Sequence, residues 1–189
     1  MDALSLLHER VSMPLLEAPG PTSEQLEQIF TAAVRAPDHG ALKPWRFLLI
    51  EGEDRAALGE LFTQAALSDN PDLPAERRQK TAGKPLRAPC IVVVIAKAVE
   101  HAKVPVLEQQ ISAGCCAQNM ILAAHALGLG AMWRTGSMAY HPTVHQGLGL
   151  VPEESIIGYV YFGTPVRQRR VPKLETSKFV ARWPESDND

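Results

Sequence analysis

The stretch VRAPDHGALKPWRFLLIEG, Val34 to Gly52, decides the fold. It starts at the end of an apolar helical stripe and finishes in an apolar strand, with Pro37-Asp38-His39-Gly40 and Pro44-Trp45 in between. Ala36 precedes a proline and is pushed out of the α region, so the helix stops there. WRFLLIE, Trp45 to Glu51, then reads as a strand, and Pro44 fixes the backbone just before it. A firm stop with Arg35 and His39 on either side, followed at once by a core strand, predicts a loop that curves around a ligand.

Upstream of this stretch, Thr22 with Gln25 matches a capping box. The helix it opens carries Leu26, Ile29, Phe30, Ala33 and Val34 on one stripe. EAPGPT, before it, reads as a linker of turn residues. Asp2 caps a first helix running to about His8 or Glu9, with Leu4, Leu7 and Val11 on one side. Downstream, DRAALGELFTQAAL reads as a helix. The polar, proline-rich Ser68 to Pro89 segment reads as a mobile excursion with a helical turn or two, so that residues 65–88 form a lid. CIVVVIA, Cys90 to Ala96, is a β-branched run and predicts a strand buried on both faces. Pro105 opens a long helix through about Leu127, GAMWR is a short strand, PTVHQGLG a short helix, and SIIGYVYFG a core strand closed by Gly163 and Pro165. With strands and helices alternating, and about four strands, a helix-covered α/β or α+β domain is expected. No composition break separates two cores, so residues 1–189 read as a single domain with a tail over 166–189.

The long helix says more. From Pro105 to Trp133 its only acid or base, histidine aside, is Glu108. A helix so apolar all round is buried on nearly every face. Ala113, Gly114, Ala117, Ala123 and Ala124 allow close helix approach, and one face is expected to meet a second subunit. The alternative is the central core helix of a monomer.

Composition excludes several classes. The chain has 189 residues, 46% of them apolar, and a formal charge of −2, so no general attraction to nucleic acid or anionic membrane is expected. The basic run VRQRRVPK is short, follows a strand and reads as a solvated tail. Three cysteines, Cys90, Cys115 and Cys116, do not make a disulfide framework and fit a reducing, cytoplasmic setting. MDALSLLHERVSM is not a signal peptide, and MILAAHALGLGAMW is too short to span a bilayer. The polar PESDND end is expected to fray.

Familiar catalytic signatures fail one by one. GLGAMW lacks the third glycine of a dinucleotide fingerprint and follows a helix. His141 and His145 stand four apart, but Pro142 starts a helix between them and no third metal ligand is in sight. Cys115 and Cys116 lie within the apolar helix, where thiols are inert packing. No Gly-x-Ser-x-Gly elbow is present. What remains is a recurrence: ERVS, RAPDH, WRTG and RQRR each place basic or small polar residues at the end of an apolar element. Singly each has a plain structural reading, as Arg35 does in complementing its helix dipole. Together they suggest a site for a phosphate attached to a flat ring, because arginine grips phosphate bidentately and keeps its charge.

RAPDHGALKPWRFLLIEG resembles the nitroreductase superfamily pattern in which Ala-Pro-Ser leads through a short loop to Gln-Pro-Trp and a strand. HERVS is similar to its N-terminal Arg-Arg-Ser or Arg-His-Ser element, AGCCAQNMILAAHALGLGAMWRTG to its central helix and following turn, and IIGYVYFGTP to its last core strand. The short chain, APDH and WRTG look most like the small YdjA-type NAD(P)H nitroreductases. The resemblance implies an α+β, nitroreductase-like fold, a mixed sheet flanked by helices in an intertwined homodimer. It implies FMN at the subunit interface and NADH or NADPH as reductant. By motif position, Arg10, Val11 and Ser12 meet the flavin, Arg35 and His39 reach it from the partner subunit, and Trp133, Arg134 and Thr135 complete the pocket. Ala123, Ala124, His125, Ala126, Leu127 and Gly128 border a nicotinamide site. Three positions depart from the pattern: Val11 replaces a second basic residue, Ala41 an asparagine and Lys43 a glutamine.

The activity so implied is hydride transfer from NAD(P)H to FMN and then two electrons to a nitroaromatic, quinone or similar small acceptor, with no side-chain nucleophile and no metal. A same-fold flavoprotein with another redox role, such as reductive dehalogenation, and a cofactor-free dimeric interaction protein are the alternatives.

Overall fold

A computed structural model describes residues 2–183, so the expected fraying of PESDND lies outside the described residues. In chain order the elements are α1 (Ala3–Glu9), β1 (Leu16–Glu17), α2 (Ser23–Ala33), β2 (Trp45–Glu51), α3 (Asp54–Asp69), α4 (Ala75–Ala82), β3 (Cys90–Lys97), α5 (Val106–Ala126), β4 (Gly130–Arg134), α6 (Pro142–Gly147) and β5 (Glu154–Pro165).

Local chemistry accounts for the helix ends. The Asp2 carboxylate accepts from the amides of Leu4 and Ser5 at the start of α1. At α2 both halves of the capping box form: the Gln25 amide donates to Thr22 Oγ1 at 3.2 Å, and the Thr22 amide to Gln25 Oε1 at 2.9 Å. α2 ends earlier than the proline rule alone predicts. Ala33 is its last residue, and Arg35 and Ala36 continue in a tighter turn by donating to Ala32 and Ala33. Tightening of a last turn satisfies carbonyls that an α-helix leaves open.

The sheet has five strands, one more than expected. The addition is β1, whose two residues pair with Thr164 and Pro165 of β5. So short a strand has no periodicity to detect and exists only because β5 supplies its partner. The order runs β2, β3, β5, with β4 on the far edge of β5. Every pairing is antiparallel, which corrects the expected mixed sheet. β3 and β4, joined through α5, do run parallel, but β5 lies between them and opposes both.

The α+β class is as expected, and alternation along the strands builds two cores. Cys90, Val92 and Val94 of β3 pack with Ile29 and Ala33 of α2 and with Cys116, Ala117, Met120 and Ala124 of α5. Ile91, Val93 and Ile95 face Leu58, Phe62 and Ala65 of α3 on the other side. From Cys90 to Ala96 every residue is fully buried, as a strand covered on both faces must be. The excursion after α3 holds a two-turn helix, α4, which lies so close to α3 that a side chain at Gly59 would collide with the Ala82 carbonyl. α1 forms with the expected cap and bounds but buries no residue, and Leu4 and Leu7 are exposed.

Candidate functional site

The loop between α2 and β2 has the least ordinary backbone in the molecule. Gly40, Ala41 and Lys43 all sit in the left-handed region, at φ of 77°, 54° and 50°. For alanine and lysine this costs about 1–2 kcal/mol each. Asp38 holds the curve: its Oδ1 accepts from the Leu42 amide at 3.1 Å and its Oδ2 from the Lys43 amide at 2.7 Å. Lys97 of β3 donates to the Pro44 carbonyl at 3.0 Å, which fixes the end of the loop to the sheet. His39 reaches the first turn of α5, with Nδ1 2.7 Å from Glu108 Oε2. Arg35 and His39 are both exposed.

Arg10, Val11 and Ser12 follow α1 directly, Arg10 being its C-cap. They line a small cavity of about 220 Å³ together with Arg169, Arg170 and Pro172 from the segment after β5. Arg169 Nη1 donates to the Ser12 carbonyl at 3.0 Å. The basic run expected to be a solvated tail therefore folds back against the N-terminal arginine. The sequence groups this run with ERVS by residue type alone, and it is the β1–β5 pairing that brings the two ends of the chain together.

Trp133 and Arg134 end β4, and Thr135 follows it. All three border one cavity of about 400 Å³, but the first two turn to opposite faces of the sheet. The Trp133 indole packs in the α5-side core and donates to the Ile157 carbonyl at 3.3 Å. Gly158 leaves the space it needs, since a Cβ there would overlap the indole nitrogen. The Arg134 guanidinium lies on the α3 side, 5.5 Å above the Tyr161 ring, and Nη2 donates to the Pro14 carbonyl at 3.3 Å. Burial, and then the nearby Arg87, hold this guanidinium below the ordinary arginine value.

Ala123 to Gly128 form the last turn of α5 and its stop. Gly128 is left-handed at φ 77°, and Leu129 donates back to the Ala124 carbonyl at 2.8 Å, which is ordinary helix-ending chemistry. Ala124 is fully buried, and none of the six lines either cavity just named. His125 Nε2 is buried without a hydrogen-bond partner. No cavity among those described joins Arg35 or His39 to Arg10, so one chain does not gather all the expected residues around one space.

Side chains set aside in the sequence have structural roles. Burial pushes the Cys116 thiol up to about 12, which keeps it protonated. His141 Nδ1 accepts from the Thr143 amide at 3.1 Å and caps α6, while Nε2 lies 3.2 Å from Asp69 and 3.4 Å from Ser68. Serine and aspartate thus share one ring nitrogen, and the relay of a hydrolase triad, which needs both nitrogens, is not built. Among the described residues, no group of three His, Cys, Asp or Glu side chains is placed to hold a metal ion. No described helix is long and apolar enough to cross a membrane.

The model of the "Nitroreductase family" matches residues 14–164. The Escherichia coli K12 protein named "Putative NAD(P)H nitroreductase YdjA" is 43% identical over 165 residues, spanning 87% of this chain and 89% of its own. A solved nitroreductase-like family protein from Bacillus cereus superposes with a TM-score of 0.81 at 20% identity, covering 97% of each chain. The FMN-dependent nitroreductase NfnB of Mycobacterium smegmatis, solved with NADPH, superposes with a TM-score of 0.74 at 18% identity, covering 95% of this chain and 97% of that one. The two structural likenesses, at such identities, concern the fold.

Proposed function

The chain belongs to the nitroreductase family, and from that premise we propose that it is a cytoplasmic, flavin-dependent NAD(P)H oxidoreductase acting as a homodimer. One observation carries the reading: three guanidinium-bearing residues, Arg10, Arg169 and Arg170, converge with Ser12 on a small cavity. Such a cavity suits the phosphate of FMN, because guanidinium groups bind phosphate in pairs of charge-assisted bonds. The name of the E. coli relative and the cofactors of the M. smegmatis neighbour agree with it.

In this reading Arg10, Val11 and Ser12 hold the phosphate and ribityl end, with Arg169 and Arg170 added to them. The main chain from Trp133 to Thr135 borders the ring. Arg35 and His39 come from the partner subunit. Exposed Leu4 and Leu7 on α1, with Leu107 and Ile111 on α5, form apolar surface of the kind that association covers. Residues 123–128 border the nicotinamide.

When bound, FMN supplies the redox chemistry, accepting a hydride from NAD(P)H and passing two electrons to a nitroaromatic, a quinone or a similar small molecule. This chain's residues bind, orient and tune. The left-handed residues Gly40, Ala41 and Lys43 set the direction of His39 and of the Lys43 ammonium, which brings positive charge to the loop where the family pattern has glutamine. The 65–88 segment admits or excludes the acceptor. Trp133, fixed by its indole bond to Ile157, keeps the end of β4 rigid. No side chain has to form a bond to the substrate, in keeping with inert thiols and an incomplete triad.

An anaerobic titration tests the proposal. The purified protein should be yellow, bleach with NADH or NADPH, and regain colour when a nitroaromatic or quinone is added. Colourless protein that takes up no added FMN would contradict it, as would a flavin that neither nucleotide bleaches.

A further inference from the structure

His39 and Glu108 stand 69 residues apart in the chain, yet Nδ1 of the first lies 2.7 Å from Oε2 of the second. Both ends of that contact are held by other interactions. On the loop side, Asp38 fixes the backbone, and Gly40 lies so near Val104 that a Cβ there would stand 3.3 Å from Val104 Cγ2. On the helix side, buried Gln109 donates from Nε2 to the Val99 and Val104 carbonyls at 2.8 and 3.1 Å. It also accepts from the Val99 amide at 2.9 Å, which ties the segment before α5 to the first turn of that helix. Stability does not explain the pair. The two side chains are 58% and 46% exposed, and an ion pair so exposed adds little. An acid in the first turn of α5 suits the helix dipole, but that accounts for Glu108 being acidic and not for its contact with His39.

The donor and acceptor chemistry gives the pair another role. A glutamate carboxylate at neutral pH only accepts hydrogen bonds, so His39 donates to it from Nδ1. A neutral imidazole with its proton on Nδ1 presents Nε2 as a bare acceptor. Neither residue joins another ion pair among the described residues. Asp38, next in sequence, spends both oxygens on the Leu42 and Lys43 amides, and in the segment before α5 His101 Nδ1 accepts from the Lys103 amide at 3.2 Å. Around Glu108 on α5, Val106, Leu107 and Ile111 are exposed and apolar. A carboxylate on such a face needs a donor once association covers it, and His39 supplies one.

We infer that Glu108 is a positioning residue: it holds His39 with the proton on Nδ1 and so presents Nε2 to the flavin as a hydrogen-bond acceptor. The tautomer follows from the ion pair, and the identity of the ligand rests on the flavin reading. An acceptor at Nε2 also selects the part of the flavin that it meets. The ring N3–H and the ribityl hydroxyls donate hydrogen bonds, whereas ionised phosphate oxygens do not.

Nitrogen-15 NMR of the histidine rings tests this in the purified protein, before and after saturation with FMN, at about pH 8.5, above the ordinary histidine range. The His39 signals are those missing from His39→Asn. Without flavin, wild-type His39 should carry its proton on Nδ1. Glu108→Gln, whose amide oxygen still accepts, should keep that form, and Glu108→Ala should lose it to the Nε2–H form. Added FMN should move the wild-type Nε2 resonance toward the protonated position. FMN should bind Glu108→Ala about tenfold more weakly, with Tm unchanged and Glu108→Gln close to wild type. Lumiflavin keeps the ring and lacks the ribityl chain: an Nε2 shift with lumiflavin assigns the ring as donor, a shift with FMN alone assigns the chain, and either supports the inference. A wild-type His39 protonated on Nε2 or on both nitrogens would overturn it. So would an Nδ1–H form retained in Glu108→Ala, equal FMN affinity in that variant, or an Nε2 resonance indifferent to bound FMN. A wild type with the expected tautomer that takes up no FMN would instead fail the flavin reading, and the choice of ligand with it, while the assignment of Glu108 to the His39 tautomer stands.

Discussion

β3 and the loop from Asp38 to Pro44 are joined by a hydrogen bond, yet they are made in opposite ways. In β3, propensity, burial and pairing all agree: a β-branched run lies fully buried between two strands and two layers of helices. In the loop they disagree. Two non-glycine residues hold left-handed backbone on an exposed surface, and one carboxylate keeps them there. Local conflict that the surroundings overrule is characteristic of functional segments, whereas agreement at every level is characteristic of scaffold. The contrast teaches that Asp38, which touches no expected ligand, is the residue on which the loop's shape depends.

Four substitutions probe that contrast. The largest effect should come from the scaffold. Gly158→Ala pushes a methyl group into the Trp133 indole and the Arg134 carbonyl, and should cost about 3 kcal/mol by urea denaturation. A cost under about 1 kcal/mol would mean that the indole has room to move. Asp38→Ala should cost about 2 kcal/mol for two lost charge-assisted bonds. Hydrogen exchange should then show the Leu42 and Lys43 amides unprotected while those of β3 stay protected. Retained protection in the loop would show that Asp38 does not hold it.

The third change tests the ordered end of the sheet by pH. Arg46 Nε and Nη2 each reach the buried Glu154 carboxylate at 2.6 Å, and this hydrogen bonding holds Glu154 below the ordinary glutamate value. A depressed carboxylate stabilises the fold above its unfolded pKa, about 4.3, and that contribution is lost as pH falls through the folded value. Glu154→Gln should therefore cost about 1–2 kcal/mol at pH 7 and progressively less below about pH 4. An equal cost at pH 7 and pH 3 would contradict the sign. The smallest effect returns to the loop: Ala41→Asn should stabilise by about 0.5–1 kcal/mol, because asparagine tolerates the left-handed region. Destabilisation would mean that the alanine methyl makes contacts worth more than the backbone strain.

Most of the scaffold was legible because its signals are local. The Thr22–Gln25 capping box, the CIVVVIA run and the Pro105 helix start depend on neighbours in sequence. β1 was not legible, since two residues carry no period and need β5 beside them. The sheet's antiparallel order was also hidden: a helix between β3 and β4 announces parallel strands, and only tertiary packing inserts β5 between them. In the candidate site, the residue types were readable but their directions were not. Arg134 and Trp133 are adjacent in sequence and so face opposite sides of the sheet. Arg169 and Arg170 were visible as charge but not as neighbours of Ser12, because that proximity is made by chain reversal over the whole length of the molecule.

The central claim is that each flavin is held by arginines from two chains, and a mixed dimer tests it most directly. Arg10→Ala and Arg35→Ala chains, differently tagged and co-expressed, form heterodimers in which one site lacks both arginines and the other retains both. The account predicts one FMN per heterodimer, with each homodimeric variant depleted. Heterodimers as depleted as either homodimer would contradict it, since both arginines would then serve a site within a single chain.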